Sequence, residues 1–216
     1  MSTRTDSPPV RRLTVADLAD VVEIQKGVTD GLPVGFIRSR TESELRAYLD
    51  GTLGVAYGVV DGTALLAMSL LRIPDENHPN RTSLPFPRVP ERDWPLRACL
   101  LENTLVLPTA RGRGYQRALL AVRVSHAASA RMKWICAGVQ LQNSVSWANL
   151  LAIGMAIVGI RLILATQSSD CCARSIRWRC GPIRAIRYRS MRTTTLDITP
   201  HCETDTSAYV WRPTER

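Results

Sequence analysis

Residues Thr109–Leu120 read TARGRGYQRALL. Two glycines stand among three arginines, just before a run with the composition of a helix. A glycine-rich turn entering a helix leaves backbone N–H groups without partners inside the helix. The helix dipole adds partial positive charge at the same end, and the two together make an anion site suited to phosphate. Arginine contributes charge and a fork of donors that matches phosphate oxygens. The plainer alternative is a helix start with solvated arginines, since short glycine motifs also arise by chance.

Spacing excludes two phosphate loops. A nucleotide P-loop needs Lys and then Ser or Thr after its second glycine, whereas Tyr115 and Gln116 follow Gly114. A dinucleotide fingerprint needs G-x-G-x-x-G. Gly112 and Gly114 supply two of its glycines, but position 117 is Arg, and the acidic residue expected further on is missing from SARMKW.

The chain has 216 residues, the length of one domain or of one domain with extensions, and its 45% apolar content is ample for a core. The longest apolar stretch, Ala148–Ile160, is too short to span a bilayer and is interrupted by Gly154 and Gly159. The first residues, MSTRTDSPPVRR, show no apolar signal region, so a cytoplasmic protein without membrane partners is expected. The six cysteines lack zinc-site spacing, so free thiols and no metal are expected. A net charge of +9 points to an anionic partner. Residues 162–216 hold 9 of the 28 basic and 5 of the 19 acidic residues, so nearly half of the excess lies in the last quarter. No single basic face marks a nucleic-acid module, and no specific nucleic-acid partner is expected.

Along the chain, residues 1–9 read as a mobile tail and VRRLTV (10–15) as a first strand. TVADLADVVEIQKGV sets Leu18, Val21, Val22 and Ile24 near one helical face, with Thr14 or Asp17 as cap. Thr41 followed three residues later by Glu44 is a capping box for a second helix. Asp61-Gly62 between two apolar runs signals a β-hairpin. Residues 74–96 contain six prolines, which excludes a regular helix or central strand and reads as an insertion loop. RACLLENTLVLP then reads as a buried strand ending at Pro108. A helix from about Tyr115 to Ala130, a strand at KWICAGVQL and a helix at SVSWANLLAIG, ended by Gly154, complete the order.

The succession of strand LVLP, loop TARGRGYQ, helix, strand ICAGVQL and QNSVSWANLLAIGM resembles the GNAT acyltransferase superfamily over residues 10–161. The family's pyrophosphate loop runs Arg/Gln-x-x-Gly-x-Gly/Ala. Arg111 and Gly114 match it, while Gln116 replaces the second small residue. The resemblance implies an α/β fold with a mixed, largely antiparallel sheet flanked by helices and a splayed strand pair at the acyl-CoA site. It implies transfer of an acyl group, acetyl above others, from coenzyme A to a small-molecule or peptide amine. The backbone of Arg111, Gly112, Arg113, Gly114, Tyr115 and Gln116 would hold the pyrophosphate. The edge of Leu105, Val106 and Leu107 would pair with the pantetheine amides. Asn143 matches the family asparagine beside the pantetheine arm, and Asn is equally at home as an N-cap.

By the same resemblance Glu102, on the strand leading to the loop, stands where some members carry a general base. Its neighbours Cys99, Leu100, Leu101 and Leu105 suggest burial, which would raise its pKa, and a solvated strand-face carboxylate is the alternative. The family's frequent acid is a tyrosine seven residues beyond the helix asparagine. Here that position is Leu150, flanked by Asn149, and no acid is assigned. A non-catalytic coenzyme A-binding protein is therefore the second reading, and a basic nucleic-acid module the third.

After Arg161 the sequence changes character. Residues 162–216 hold four of the six cysteines and lack clear periodicity, where the family finishes with two strands. They read either as a genuine basic extension or as a stretch translated out of frame. Regrouping the codons by one base permits an amphipathic ending over Thr199–Arg212. In RSIRWRCGPIRAIRYRS a strand is locally possible, broken by Gly181-Pro182. Poor packing of this stretch is the expectation.

Overall fold

Thr41 caps its helix as expected. In the computed structural model, which describes residues 10–32, 37–80, 93–140, 142–164 and 172–179 (backbone alone from residue 157 onward), helix α2 spans Glu42–Leu49. The Glu44 N–H donates to the Thr41 hydroxyl at 3.2 Å, and the Thr41 N–H donates to the Glu44 carboxylate at 2.9 Å. Two of the helix's unpaired donors are thereby satisfied within four residues.

The first strand, β1 (Val10–Arg12), is shorter than its apolar pattern suggested, because a 3₁₀ turn at Val15–Asp17 leads into α1 (Leu18–Thr29). Asp17 organises this turn. Its carboxylate takes a forked pair of bonds from Arg11 at 2.5 and 3.0 Å and another from the Thr14 N–H at 2.8 Å. The Arg11 bonds hold the Asp17 pKa down at about 2, against the opposing pull of burial. A depressed carboxylate stabilises the fold at pH above its unfolded value of 3.8, and that contribution disappears as pH falls to about 2. Asp17→Asn should therefore flatten the stability–pH curve across this acid window. Chemical denaturation at stepped pH tests it, and an unchanged slope would remove the Arg11–Asp17 pair as its source.

The hairpin β2 (Gly54–Asp61) to β3 (Ala64–Arg72) forms where Asp61-Gly62 marks it. Asp61 pairs with Ala64, so the two turn residues are Gly62 and Thr63, and Gly62 takes the positive φ of 57°. Of the proline-rich stretch, residues 81–92 lie outside the described residues, as do the N-terminal tail 1–9 and residues 165–171 and 180–216. The stretch does include one helical turn, α3 (Trp94–Arg97). Pro95 sits in its first turn, where a missing N–H costs nothing, which is how a helix arises where the proline count seemed to exclude one. The remaining elements are β4 (Ala98–Val106), α4 (Tyr115–Ser129), β5 (Trp134–Gln140), α5 (Ser144–Ala152), β6 (Ala156–Leu164) and β7 (Cys172–Arg179).

The strands form one seven-stranded sheet in the order β1-β2-β3-β4-β5-β7-β6. Only β4 and β5 are parallel neighbours; the other pairs are antiparallel. Strand β6 runs through Arg161 to Leu164, and β7 lies between β5 and β6, with Gln140 opposite Ser175 and Cys136 opposite Arg179. The backbone thus continues the sheet past residue 161. Helices α1 and α2 cover one face, burying Leu18, Val21, Ile24, Leu45, Tyr48 and Leu49 against Met68, Leu70 and Leu105. Helices α4 and α5 contribute Leu120, Ala127 and Leu150 to the other core, against Cys99, Leu101, Ile135 and Ala137.

Two irregularities in β4 set the geometry around Glu102 and the neighbouring loop. Ser69 pairs with Thr104 and Leu71 with Leu101, so Glu102 and Asn103 together stand opposite Leu70. This bulge inverts the side-chain alternation: Leu101 belongs to the α4/α5 core, and Leu105, four residues on, belongs to the α1/α2 core. On its other edge β4 pairs with β5 only from Ala98 to Leu101, opposite Trp134 to Ala137, and beyond those residues the two strands part. The splayed pair expected from the resemblance is present.

Candidate functional site

In the loop between β4 and α4 the Arg111 N–H, expected at the pyrophosphate, instead bonds the Pro108 carbonyl at 3.4 Å, and the five N–H groups after it are left without backbone acceptors. Gly112 and Gly114 adopt left-handed backbones, at φ 78° and 79°, which side-chain-bearing residues rarely tolerate. These two conformations turn the chain into α4 with Gly114 as N-cap. Among the described residues, the N–H groups of residues 112–116 have no backbone acceptor, whereas the next two, on Arg117 and Ala118, both bond to the Gly114 carbonyl. A Cβ built on Gly112 or Gly114 would meet no atom within 4 Å. Five successive donors therefore lack backbone acceptors at the positive end of a fifteen-residue helix, with open space beside the two glycines. Arg111 and Arg113 are exposed, and among the described residues their side chains make only long bonds to the Val106 and Thr109 carbonyls, at 3.4 Å each. Tyr115 is buried and packs in the core beside Val59, Ala67 and Leu119, which fixes the start of the helix.

The gap between the parting strands adjoins this loop. The Leu107 N–H donates to the Leu66 carbonyl at 3.0 Å. By the alternation of an antiparallel ladder, Leu105 and Leu107 turn their backbone groups toward β3, and Val106 turns its own toward the gap. Of the three edge residues expected to meet an extended ligand, Val106 is the one with backbone groups on that side. Across the gap, Asn143 caps α5, its side-chain oxygen accepting from the Ser146 N–H at 3.1 Å. The N-cap reading of Asn143 is thus realised, and its amide nitrogen has no bond among the described residues.

Glu102 faces the α1/α2 side, opposite to its neighbour Leu101, by the ordinary alternation of the strand. Its Oε2 accepts from the Tyr48 hydroxyl at 2.6 Å and from Arg40 in a close ion pair. The carboxylate side chain is 14% exposed and that of Arg40 10%. Gln25 clamps Arg40 in place, its side-chain amide bonding the Arg40 carbonyl at 2.8 Å and N–H at 2.9 Å. Glu44 also accepts from Arg40, at 3.3 Å, so two carboxylates share this guanidinium. Burial, and then the Glu102 charge, push the Tyr48 phenol well above its usual range, and it remains a proton donor to Glu102. The carboxylate is held by ionic and hydrogen-bonding partners rather than lying in the apolar surroundings its strand neighbours suggest. Its Oε1 is the oxygen without a bond among the described residues.

Solved structures share this fold. The ribosomal-protein-S18-alanine N-acetyltransferase from Escherichia coli superposes with a TM-score of 0.59 at 16% identity, covering 88% of this chain and 99% of its own. An acetyltransferase of the GNAT family from Streptococcus pneumoniae gives 0.60 at 14% identity, covering 80% of this chain and 97% of its own. The Salmonella typhimurium protein yncA, solved with its cofactor acetyl-CoA, gives 0.63 at 13% identity over 86% of this chain and all of its own. The fold is that of the GNAT acetyltransferases. No family model matches the sequence, and no curated protein matches it in sequence. At these identities the likeness lies in backbone architecture, which the GNAT fold preserves while side chains vary.

Within this GNAT fold, an unexpected residue supports the β4 bulge. Arg123, on the buried face of α4, is 2% exposed and has no carboxylate partner among the described residues. Its guanidinium donates to the carbonyls of Leu70 and Glu102, both at 3.1 Å, and to the Thr104 hydroxyl at 2.8 Å. These two carbonyls belong to the residues facing each other across the bulge, where the ladder is disrupted. Desolvation draws the Arg123 pKa down to about 9, which still leaves it charged at neutral pH. The sequence does carry a signal for it: Leu119, Leu120, Arg123 and Ala127 form one helical stripe, and a charge on such a stripe demands partners. Arg40 and Tyr48 offer no such signal, since they meet Glu102 from 62 and 54 residues away. Among the described residues, no cluster of His, Cys, Asp or Glu has the composition of a metal site, and no helix is long and apolar enough to cross a membrane.

Proposed function

We propose that this chain is an N-acyltransferase that uses acyl-CoA, with acetyl-CoA as the expected donor and a small-molecule or peptide amine as acceptor. The observation that carries this reading is the row of five unpaired N–H groups at residues 112–116, next to the gap between β4 and β5. When bound, acyl-CoA supplies a thioester-activated acyl group for transfer to the amine. The backbone of Gly112, Arg113, Gly114, Tyr115 and Gln116 would hold the pyrophosphate, with Arg111 and Arg113 adding charge at the rim. The Val106 backbone, kept in line by the bonds of Leu105 and Leu107 to β3, would pair with the pantetheine arm, and the free amide nitrogen of Asn143 would approach it from α5. Glu102, oriented by Arg40 and Tyr48, would take the acceptor's proton on Oε1.

Coenzyme A should raise the melting temperature of the protein, and Gly114→Val should remove that increment while weakening binding roughly tenfold or more. The valine would be strained at this φ and would place carbon where the phosphate must approach. The strain lowers the ligand-free melting temperature as well, so the ligand-induced difference is the quantity to read. An equal increment in the variant would exclude the loop as the phosphate site.

A second reading, a coenzyme A-binding protein without catalysis, is favoured by two observations. Leu150 is a buried core residue where an acid would stand, and Glu102 is tied to Arg40. Thiol release from acetyl-CoA in the presence of an amine panel separates the two. The panel should include alanine amines, given the name of the Escherichia coli neighbour. Release that depends on the amine establishes transfer; tight binding without release establishes the alternative.

A further inference from the structure

Gln116 is the residue that departs from the loop motif, and its side chain leaves the loop altogether. Its amide nitrogen donates to the Ser146 hydroxyl at 3.1 Å, and its amide oxygen accepts from the Asn149 side chain at 2.9 Å. Both partners lie on the first turns of α5. Helix α4 follows the end of β4, and α5 follows the end of β5. Those are the two strand ends that part after Leu101 and Ala137. A side chain joining the start of one helix to the start of the other therefore spans the mouth of the gap. We infer that Gln116 is a latch across the acyl-CoA cleft, which the ligand must open to bind.

The inference rests on the proposed function, in which residues 112–116 and the Val106 edge take acyl-CoA. A ligand with its phosphates on the N–H row and its arm along Val106 passes between the two helix starts. The Gln116 backbone N–H is the last donor of that row, so its side chain begins at the ligand path and closes it. Both polar ends of the amide are satisfied by α5, which holds the closed form. Opening exchanges these two neutral hydrogen bonds for bonds to water. The closed form thus reduces apparent affinity by the fraction of molecules that are open, about tenfold for two bonds of ordinary strength.

The test compares coenzyme A binding to the full chain and to Gln116→Ala, Asn149→Ala and the double variant, by calorimetry and stopped-flow. Gln116→Ala, which removes both bonds, should bind about tenfold tighter, chiefly through faster association; Asn149→Ala, which leaves the bond to Ser146, should gain about threefold, and the double variant should match Gln116→Ala. A mere helix tie would lower ligand-free stability and leave the dissociation constant unchanged, which overturns the latch. Weaker binding by Gln116→Ala would also overturn it, making the side chain a ligand contact. Binding by wild type with unaltered variants removes the latch alone. Absence of binding by all four proteins removes the acyl-CoA reading and the latch with it.

Discussion

Arg123→Leu should lower the free energy of unfolding by about 3 kcal/mol or more. Leucine fits the apolar stripe of α4, so no surface or helix preference opposes it. The loss comes from what arginine leaves behind. The Leu70 and Glu102 carbonyls and the Thr104 hydroxyl are all held by this one guanidinium. An acceptor stranded in the interior costs about 1–3 kcal/mol, and relief of the buried charge returns part of the total. Arg123→Lys should fall between wild type and leucine, because an ammonium lacks the planar fork that reaches both strands. Urea titration with a common slope gives the measurement. A leucine variant as stable as wild type would mean that burying the cation costs as much as its bonds return, and that β4 keeps its bulge unaided. The same variant reports on the site. The bulge lies at Glu102 and Asn103, so its loss would shift the backbone that presents Glu102 to Arg40 and Tyr48.

The second large effect concerns Glu102 itself. Glu102→Gln should reduce amine-dependent thiol release by ~10²-fold or more, with coenzyme A affinity nearly unchanged. Glutamine keeps the shape and still offers an oxygen to Tyr48 and Arg40, and Glu44 remains beside Arg40 to balance its charge. The substitution therefore removes basicity with little disturbance of the fold. Tyr48→Phe gives the comparison. It deletes one bond to Oε2 and should cost activity modestly, since the Arg40 pair still orients the carboxylate. Unaltered turnover in Glu102→Gln would make the carboxylate a structural partner of Arg40 and leave proton removal to solvent. A matching loss of coenzyme A affinity would place its effect on the cleft rather than on the acceptor.

The sequence alone determined the elements whose causes are local. The Thr41–Glu44 capping box, the Asp61-Gly62 hairpin, the entry into α4 at Gly114 and the exit from α5 at Gly154 each depend on residues within four positions of one another. Backbone conformation, caps and turns act at that range, so a linear reading recovers them. It also placed the glycine loop at the start of α4, where two left-handed glycines leave a row of N–H groups without backbone acceptors. Where local rules competed, the linear reading slipped. It gave the hairpin turn to Asp61-Gly62 rather than Gly62-Thr63, and in excluding a regular helix among the prolines it did not foresee the single turn of α3, for which Pro95 is suited.

Only the tertiary structure decided the rest. The β4 bulge has no signature in RACLLENTLV; it becomes visible when Leu101 and Leu105 enter opposite cores. Glu102 acquires its ion pair and its hydrogen bond from Arg40 and Tyr48, more than fifty residues away. Arg123 is readable as an anomaly on an apolar stripe, but its partners are carbonyls, which every residue possesses and no sequence distinguishes. Gln116 meets α5 thirty and thirty-three residues on, through contacts that depend on how two helices begin beside two parting strands. Strand β7 likewise takes a place between β5 and β6 that its arginine-rich pattern does not announce. Pairing across a sheet is set by which backbone edges remain open once the other strands have assembled, a property of the folded whole.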